Sequence, residues 1–395
     1  ESASRSKCFH VIFDHHLVIK IPPKPINDFD VYLDSIEADQ EVVKALAPRE
    51  CIVPTVSAVL KLIHPLTNAN ELTPAELEDK YLTLLRKFDA FQNFLIVGPT
   101  FVQVMDLSKY FFLSNIIDDF HDLHNKMYHE IVSYPDVVWE NHGFEGRYAF
   151  ENDEEIQAVR HIYTAFEEKL SVLAQVAEQS KAITRYSMQQ WFLIHLCGRK
   201  LGEDEKDVTP ELAASIDSLA DKIFEEYNEI IKNYRNTIKG CIQSVTIEQN
   251  KQQIGGILKN ILDLLAWLGD KGVAIRDLKP DNLLVAGDQT RYPEFLNSTR
   301  EYTIGLIDVE TAAVCDSVSS GDAQQPILGG TPSYATPSHL VLNKVLDELY
   351  GDVPRILCLQ DWYAVIGMVY EVITGETLFH QTGKMIIGIK TALFK

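Results

Sequence analysis

The stretch Val273-Ala-Ile-Arg-Asp-Leu-Lys-Pro-Asp-Asn-Leu-Leu-Val285 decides how the rest of the chain is read. Its two ends are apolar, and each reads as a short buried strand. Between them Asp277, Lys279 and Asn282 stand at fixed short offsets on a polar loop. Lys-Pro-Asp-Asn is good turn chemistry in its own right. A plain turn, however, needs no Arg-Asp before it and no Leu-Leu-Val after it.

Outward from this loop, the flanking segments fall into a definite order. Upstream, Ile254 to Leu268 is strongly apolar and helical in pattern, and it reaches the loop through the turn Gly269-Asp-Lys-Gly272. Downstream, Tyr302-Thr-Ile-Gly-Leu-Ile307 predicts a strand that ends in Asp308-Val-Glu310. Then come the proline-rich Gly330-Thr-Pro-Ser-Tyr-Ala-Thr-Pro337 and a long apolar helical run, Asp361 to Gly375.

The N-terminal part is richer in strands. Cys8–Phe13 and His16–Ile21 flank Asp14-His15 and predict a hairpin, with Lys20 between Ile19 and Ile21. Asp30 to Leu46 predicts a helix carrying Glu37 and Glu41, followed by the strand-like Cys51-Ile-Val-Pro54. Phe94–Val97 and Thr100–Met105 predict two more strands around Gly98-Pro99. From Tyr110 to about Asn250 the chain turns helical, with amphipathic stretches at Glu154–Ala177 and Pro210–Ile238. Thr209 caps the second and Pro210 occupies its first position. The acidic run Glu203–Asp207 reads as a solvated loop. His121 and His124, with Asp118, Asp119 and Asp122, read as a solvated helix face and not as a metal site, since no further ligand pair accompanies them.

Composition narrows the function classes. The 395 residues are 46% hydrophobic and 24% charged, as in an ordinary soluble globular protein of two or three packed units. A net charge of −21 argues against a nucleic-acid partner gripped through its phosphates. The six cysteines are scattered and form no Cys-x-x-Cys pair, which predicts no structural zinc site and a reducing, cytoplasmic compartment. No apolar run reaches the roughly 20 residues a bilayer span needs. The polar start lacks a signal-peptide core and an initiator Met, so a trimmed N-terminus is expected, and delivery into another cell by other routes stays open.

Ile275 to Asn282 resembles the catalytic loop of eukaryotic-type Ser/Thr protein kinases, His-Arg-Asp-Leu-Lys-Pro-x-Asn, with Ile275 in place of the His. The resemblance covers about two-thirds of the chain, everything but the helical middle. It implies an α+β, bilobal protein-kinase-like fold with a large α-helical insertion. Residues 1–108 would be the N-lobe, lacking its first strand or glycine loop; 109–250 the insertion; and 251–395 a shortened C-lobe. It implies ATP and Mg2+ as cofactors and transfer of the γ-phosphoryl group to a Ser/Thr hydroxyl of a protein substrate. Asp277 would be the base or positioner, Lys279 the charge stabiliser, and Asn282 with Asp308 the metal ligands. Lys20 would place the phosphates, held by Glu41, with Glu37 as alternate; Met105-Asp106-Leu107 would be the hinge reading the adenine edge. Thr331 would contact Asp277 and Lys279, and Asp361 would cap the loop backbone from below. The insertion would bind a regulatory partner or form a dimer, and Ser317 to Ser320 are candidate phosphosites.

Several departures accompany the resemblance. There is no Gly-x-Gly-x-x-Gly before Lys20, Asp-Val-Glu replaces Asp-Phe-Gly, and Ser338 stands where a Glu is usual. Val309 and Ile275 replace the two side chains that stack in the family's regulatory spine. These departures leave three alternatives: a pseudokinase binding module, a kinase-fold enzyme acting on a small molecule, and one transferring a nucleotide.

Overall fold

The computed structural model describes all residues except 1–6, 13–15, 23, 47–50, 70–71, 107–109, 177–182, 202–208, 316–327 and 394–395, and omits the side chains of some flanking positions, Glu41 among them. The chain divides into two compact units. One combines Glu1–Asp119 with Lys251–Lys395; the other is Phe120–Asn250. The architecture is α+β, dominated by helices, with small and mostly antiparallel sheets.

In the first unit, Lys7–Ile12 and His16–Ile21 form an antiparallel hairpin, and His16–Ile21 pairs in turn with Gln103–Asp106. Strand alternation places Val18 and Lys20 on one buried face. A second sheet runs Cys51–Ile52, Thr303–Ile307, Leu283–Ala286, Tyr110–Phe112, with only its first pair parallel. Val273–Ala274 pairs antiparallel with Ala313–Val314, so the strand entering the central loop is tied to the segment that follows Asp308. The helix Lys251–Asp270 carries buried Ile254, Ile257, Ile261, Leu264 and Leu268, the i, i+3, i+4 spacing of a core face. Gly272, at φ 60°, makes the turn into Val273, a left-handed position that glycine occupies without steric cost.

The helix Val353–Thr374 is long and apolar enough to cross a membrane by length and composition alone. It is the one such helix among the described residues. Its buried face includes Gln360 and Asp361 along with Leu357, Val365, Met368 and Val372, as a core helix requires.

Three segments differ from their sequence expectations. Phe94 and Leu95 end a 3-10 helix, Asp89–Leu95, and only Ile96–Val97 is strand. Phe88, Phe91 and Phe94 recur every third residue and their rings pack in succession, the repeat of a 3-10 turn. Thr100–Met105 is interrupted at Val102, whose N–H turns to the Leu95 carbonyl; its halves join different sheets. Pro74–Lys87 is a helix with a full capping box, Thr73 and Glu76, that the hydrophobic pattern does not announce.

The second unit is all helix among the described residues. Asp153–Val176, Arg185–Leu196, Pro210–Glu226 and Asn228–Gln249 surround a core in which Phe166, Phe192, Ile238 and Tyr234 are fully buried. The sequence reads Pro210 to Ile238 as continuous, but the helix breaks at Tyr227, whose ring packs edge-on against His161. His195 is buried between the Trp191 carbonyl and Asp217, and Asp217 Oδ1 also accepts the Leu201 N–H at 3.0 Å. His121 and His124 fall on two successive helices separated by Asp122, which caps the second by accepting the Asn125 N–H. No group of three metal-ligating side chains occurs among the described residues. Glu203–Asp207 and Ser317 to Ser320 lie outside the described residues.

Candidate active site

The central loop is held from beneath by one carboxylate. Asp361 accepts the N–H groups of Ile275 and Arg276, one on each oxygen, both at 2.7 Å. Arg276 sits at φ 69° and Asp308 at φ 63°, a region L-residues avoid at a cost of roughly 1–3 kcal/mol each. Such positions persist only where the surroundings fix them. At Arg276 the fixing groups include Asp361 on its N–H and Gln360, which accepts from Nε at 3.1 Å. Gln360 Nε2 in turn donates to Ser338, the residue standing where the resemblance leads one to expect a Glu. Burial pushes the Asp361 carboxyl up to about 7, outweighing the two N–H donors and the Arg276 charge that favour its ionised form.

Above this support the polar side chains converge. Asp277 Oδ1 accepts from both the backbone N–H and the hydroxyl of Thr331, each at 2.9 Å. Lys279 Nζ donates to the same hydroxyl at 3.0 Å and lies 3.4 Å from Asp277 Oδ2. Asn282 Nδ2 donates to the Asp277 carbonyl and to Oδ2, so its amide carbonyl oxygen is the end not spent on Asp277. Asp277, Lys279 and Asn282 are all buried. Gly330 permits the approach of Thr331: a Cβ there would lie 2.9 Å from Ala335 Cβ and 3.0 Å from the His339 ring. Tyr334 donates its hydroxyl to Glu371 and anchors the same segment to the Val353–Thr374 helix.

Lys20, on the N-terminal hairpin, meets Asp308, and the ladder pairing Leu306 with Leu283 brings Asp308 near the loop end that carries Asn282. Its ammonium lies 2.5 Å from Asp308 Oδ1 and 2.9 Å from Glu310 Oε2. Burial alone would lower its pKa, but the two carboxylates reverse that and hold it above the ordinary lysine value. Glu310 is the partner that sequence reasoning missed. The available signal was a second acid two residues beyond Asp308. The side chain of Glu41 lies outside the described residues, while Glu37 is exposed and faces Arg86 at 3.8 Å.

Beside Lys20 is an apolar floor of Val18, Met105, Leu284 and Ile307, flanked by Ile52 and Phe112. Three of its four members lie within two positions of a polar group of the site: Val18 two residues before Lys20, Leu284 two after Asn282, Ile307 directly before Asp308. Met105 contributes a buried side chain here, its backbone opposite Val18 in the ladder; Leu107 lies outside the described residues. Val309 and Ile275 are both buried. Asp308 and Asn282 offer hard oxygen donors of the kind Mg2+ accepts alongside phosphate oxygens and water, so the residues present fit that ion.

The arrangement thus joins an anchored carboxylate, a buried ammonium beside it, an oxygen-donor pair, and a second ammonium at the edge of an apolar floor. No family model, no curated protein and no solved structure matches this chain.

Proposed function

We propose that the chain is an ATP-dependent protein kinase that transfers the γ-phosphoryl group to Ser/Thr hydroxyls, on a bilobal kinase-like scaffold with the helical unit as an insertion. The observation that carries this reading is one constellation assembled from distant parts of the sequence. Lys20 meets Asp308 across 288 positions, and Thr331 meets Asp277 across 54. Phosphoryl transfer demands mainly positioning and charge compensation, and these residues supply both.

In this reading Asp277, held by Thr331, accepts a hydrogen bond from the substrate hydroxyl, orients it and takes its proton. Lys279, which donates to the Thr331 hydroxyl, compensates negative charge on the transferring group. Asp308 and Asn282 would hold Mg2+, which supplies charge neutralisation at the phosphates when bound. Lys20 binds phosphate oxygens, and the Val18–Met105–Leu284–Ile307 floor receives the adenine ring. Asp361 keeps Arg276 and, through it, Asp277 in place.

A second reading, a pseudokinase that binds without transferring, is favoured by one observation: the Lys20–Asp308 pair closes two of the groups that transfer would need. Incubation with γ-labelled ATP and Mg2+, with and without a generic protein substrate, separates the two. Label in protein that Asp277→Asn abolishes supports transfer. Nucleotide binding without label, in the wild-type chain, sinks the kinase reading in favour of the pseudokinase or of nucleotide transfer, and α-labelled ATP distinguishes those.

A further inference from the structure

The Lys20 ammonium is buried to 4% exposure and is shared between two carboxylates of one short loop. A buried ammonium without a counter-ion is costly, so whichever carboxylate stays with it determines where it points. Asp308 is also the candidate metal ligand, and a divalent cation would claim its charge. Glu310 has no such competing duty. Its side chain is about one-third exposed and lies 2.9 Å from the Lys20 ammonium.

The loop is built to present both acids. Val309 between them is buried as an apolar plug. The Ala312 N–H closes a turn onto the Val309 carbonyl at 2.9 Å, and the Thr311 hydroxyl donates to the Ile275 carbonyl at 2.8 Å. Those bonds fix Glu310 from its C-terminal side, as the left-handed turn at Asp308 fixes it from the other. The charge count agrees. Two carboxylates and one ammonium leave an excess negative charge, which a divalent cation converts to an excess positive charge facing the phosphates.

We propose that Glu310 is the positioning residue for Lys20, holding its ammonium toward the nucleotide phosphates once Asp308 is engaged by the metal. This rests on the kinase reading above and deepens it. The acid that restrains the phosphate-binding lysine then comes from the same loop as the metal ligand.

The test is titration of the full chain with a fluorescent ATP analogue, with Mg2+ and with EDTA, for wild type, Glu310→Gln, Glu310→Asp, Glu41→Gln and the Lys20→Met/Glu310→Gln pair. With Mg2+, Glu310→Gln should weaken binding by about tenfold, as expected for loss of one charge-assisted bond, and Glu310→Asp should recover part of the loss. In EDTA the loss should be under about threefold, because Asp308 then still holds Lys20. Lys20→Met in the Gln background should add little, which marks the two as one coupled unit. A Glu310 with only a structural role would weaken binding equally with and without the metal, and that result overturns the proposal. So does wild-type affinity in Glu310→Gln together with a tenfold loss in Glu41→Gln. A wild-type chain that binds no nucleotide overturns the kinase reading and this proposal together; wild-type binding with an indifferent Glu310 overturns only the latter.

Discussion

Replacing Asp361 should unlock the central loop, and the cost follows from its contacts. The carboxylate is 2% exposed and accepts two backbone N–H groups at 2.7 Å. Asp361→Ala leaves both N–H groups buried without an acceptor, at about 1–3 kcal/mol each. The left-handed turn at Arg276 loses a restraint as well, so a total of roughly 3–6 kcal/mol is expected near pH 7. That is a large share of the roughly 5–15 kcal/mol that holds a domain folded. Asp361→Asn keeps one acceptor and turns an amide N–H toward the other donor, and should cost roughly 1–3 kcal/mol.

The pH dependence has a definite sign. The folded Asp361 carboxyl is raised from 3.8 to about 7, chiefly by burial, so the folded chain binds more protons than the unfolded one between those values. Its contribution is therefore greatest at low pH and declines as pH rises through that window. His339 has the opposite slope. Burial and the Arg276 charge push it down to about 4, so its contribution is complete above 6.5 and is lost as pH falls. Because His339 is present in both proteins, the difference between wild type and Asp361→Asn isolates Asp361: the advantage of wild type should narrow from pH 4 to pH 7. The assay is hydrogen exchange of the Ile275 and Arg276 amides, beside urea denaturation at each pH. If Asp361→Ala exchanges these amides at the wild-type rate, with a midpoint shift worth under about 0.5 kcal/mol, the two bonds do not hold the loop and the reasoning fails.

Other perturbations test separate parts of the molecule. Thr331→Val removes a hydroxyl shared by Asp277 and Lys279, and should lower kcat at least tenfold while Thr331→Ser retains most activity; equal kcat values would remove Thr331 from the site. Asp217→Ala strips partners from buried His195 and from the Leu201 N–H, and should destabilise the helical unit by about 2–4 kcal/mol, read as a lower midpoint for exchange of its helices. Cys315 and Cys358 place their sulfurs 3.7 Å apart in reduced form. Treatment with glutathione disulfide should join them with release of two glutathiones, seen as loss of two hydrogens from the intact mass; a mixed disulfide that persists on either thiol would count against the pairing.

Some of this was legible because it is local. Asp277, Lys279 and Asn282 lie within six positions, so any loop joining two strands there brings them near one another. The hairpin carrying Lys20, the Thr209 cap and the glycine turn before Val273 likewise depend on residues a few positions apart. Local signals also mislead where packing competes. The run Phe94-Leu-Ile-Val97 has strand composition, yet three phenylalanines spaced by three draw its first half into a 3-10 turn. At Tyr227 the helical periodicity continues through a residue at φ −109° and ψ 26°, where the helix stops.

The sequence by itself determined the α+β character, the polar loop between apolar strands and the identity of the acids and lysines available to it, since propensity and hydrophobic period act over a few residues. Only the tertiary structure decided which of those groups meet. That Lys20 lies between Asp308 and Glu310, that Arg276 is held by Gln360, and that Cys51–Ile52 pairs in parallel with the strand before Asp308 are contacts across tens to hundreds of positions. Their geometry comes from how helices and sheets bury their apolar faces together, and no local pattern encodes that outcome.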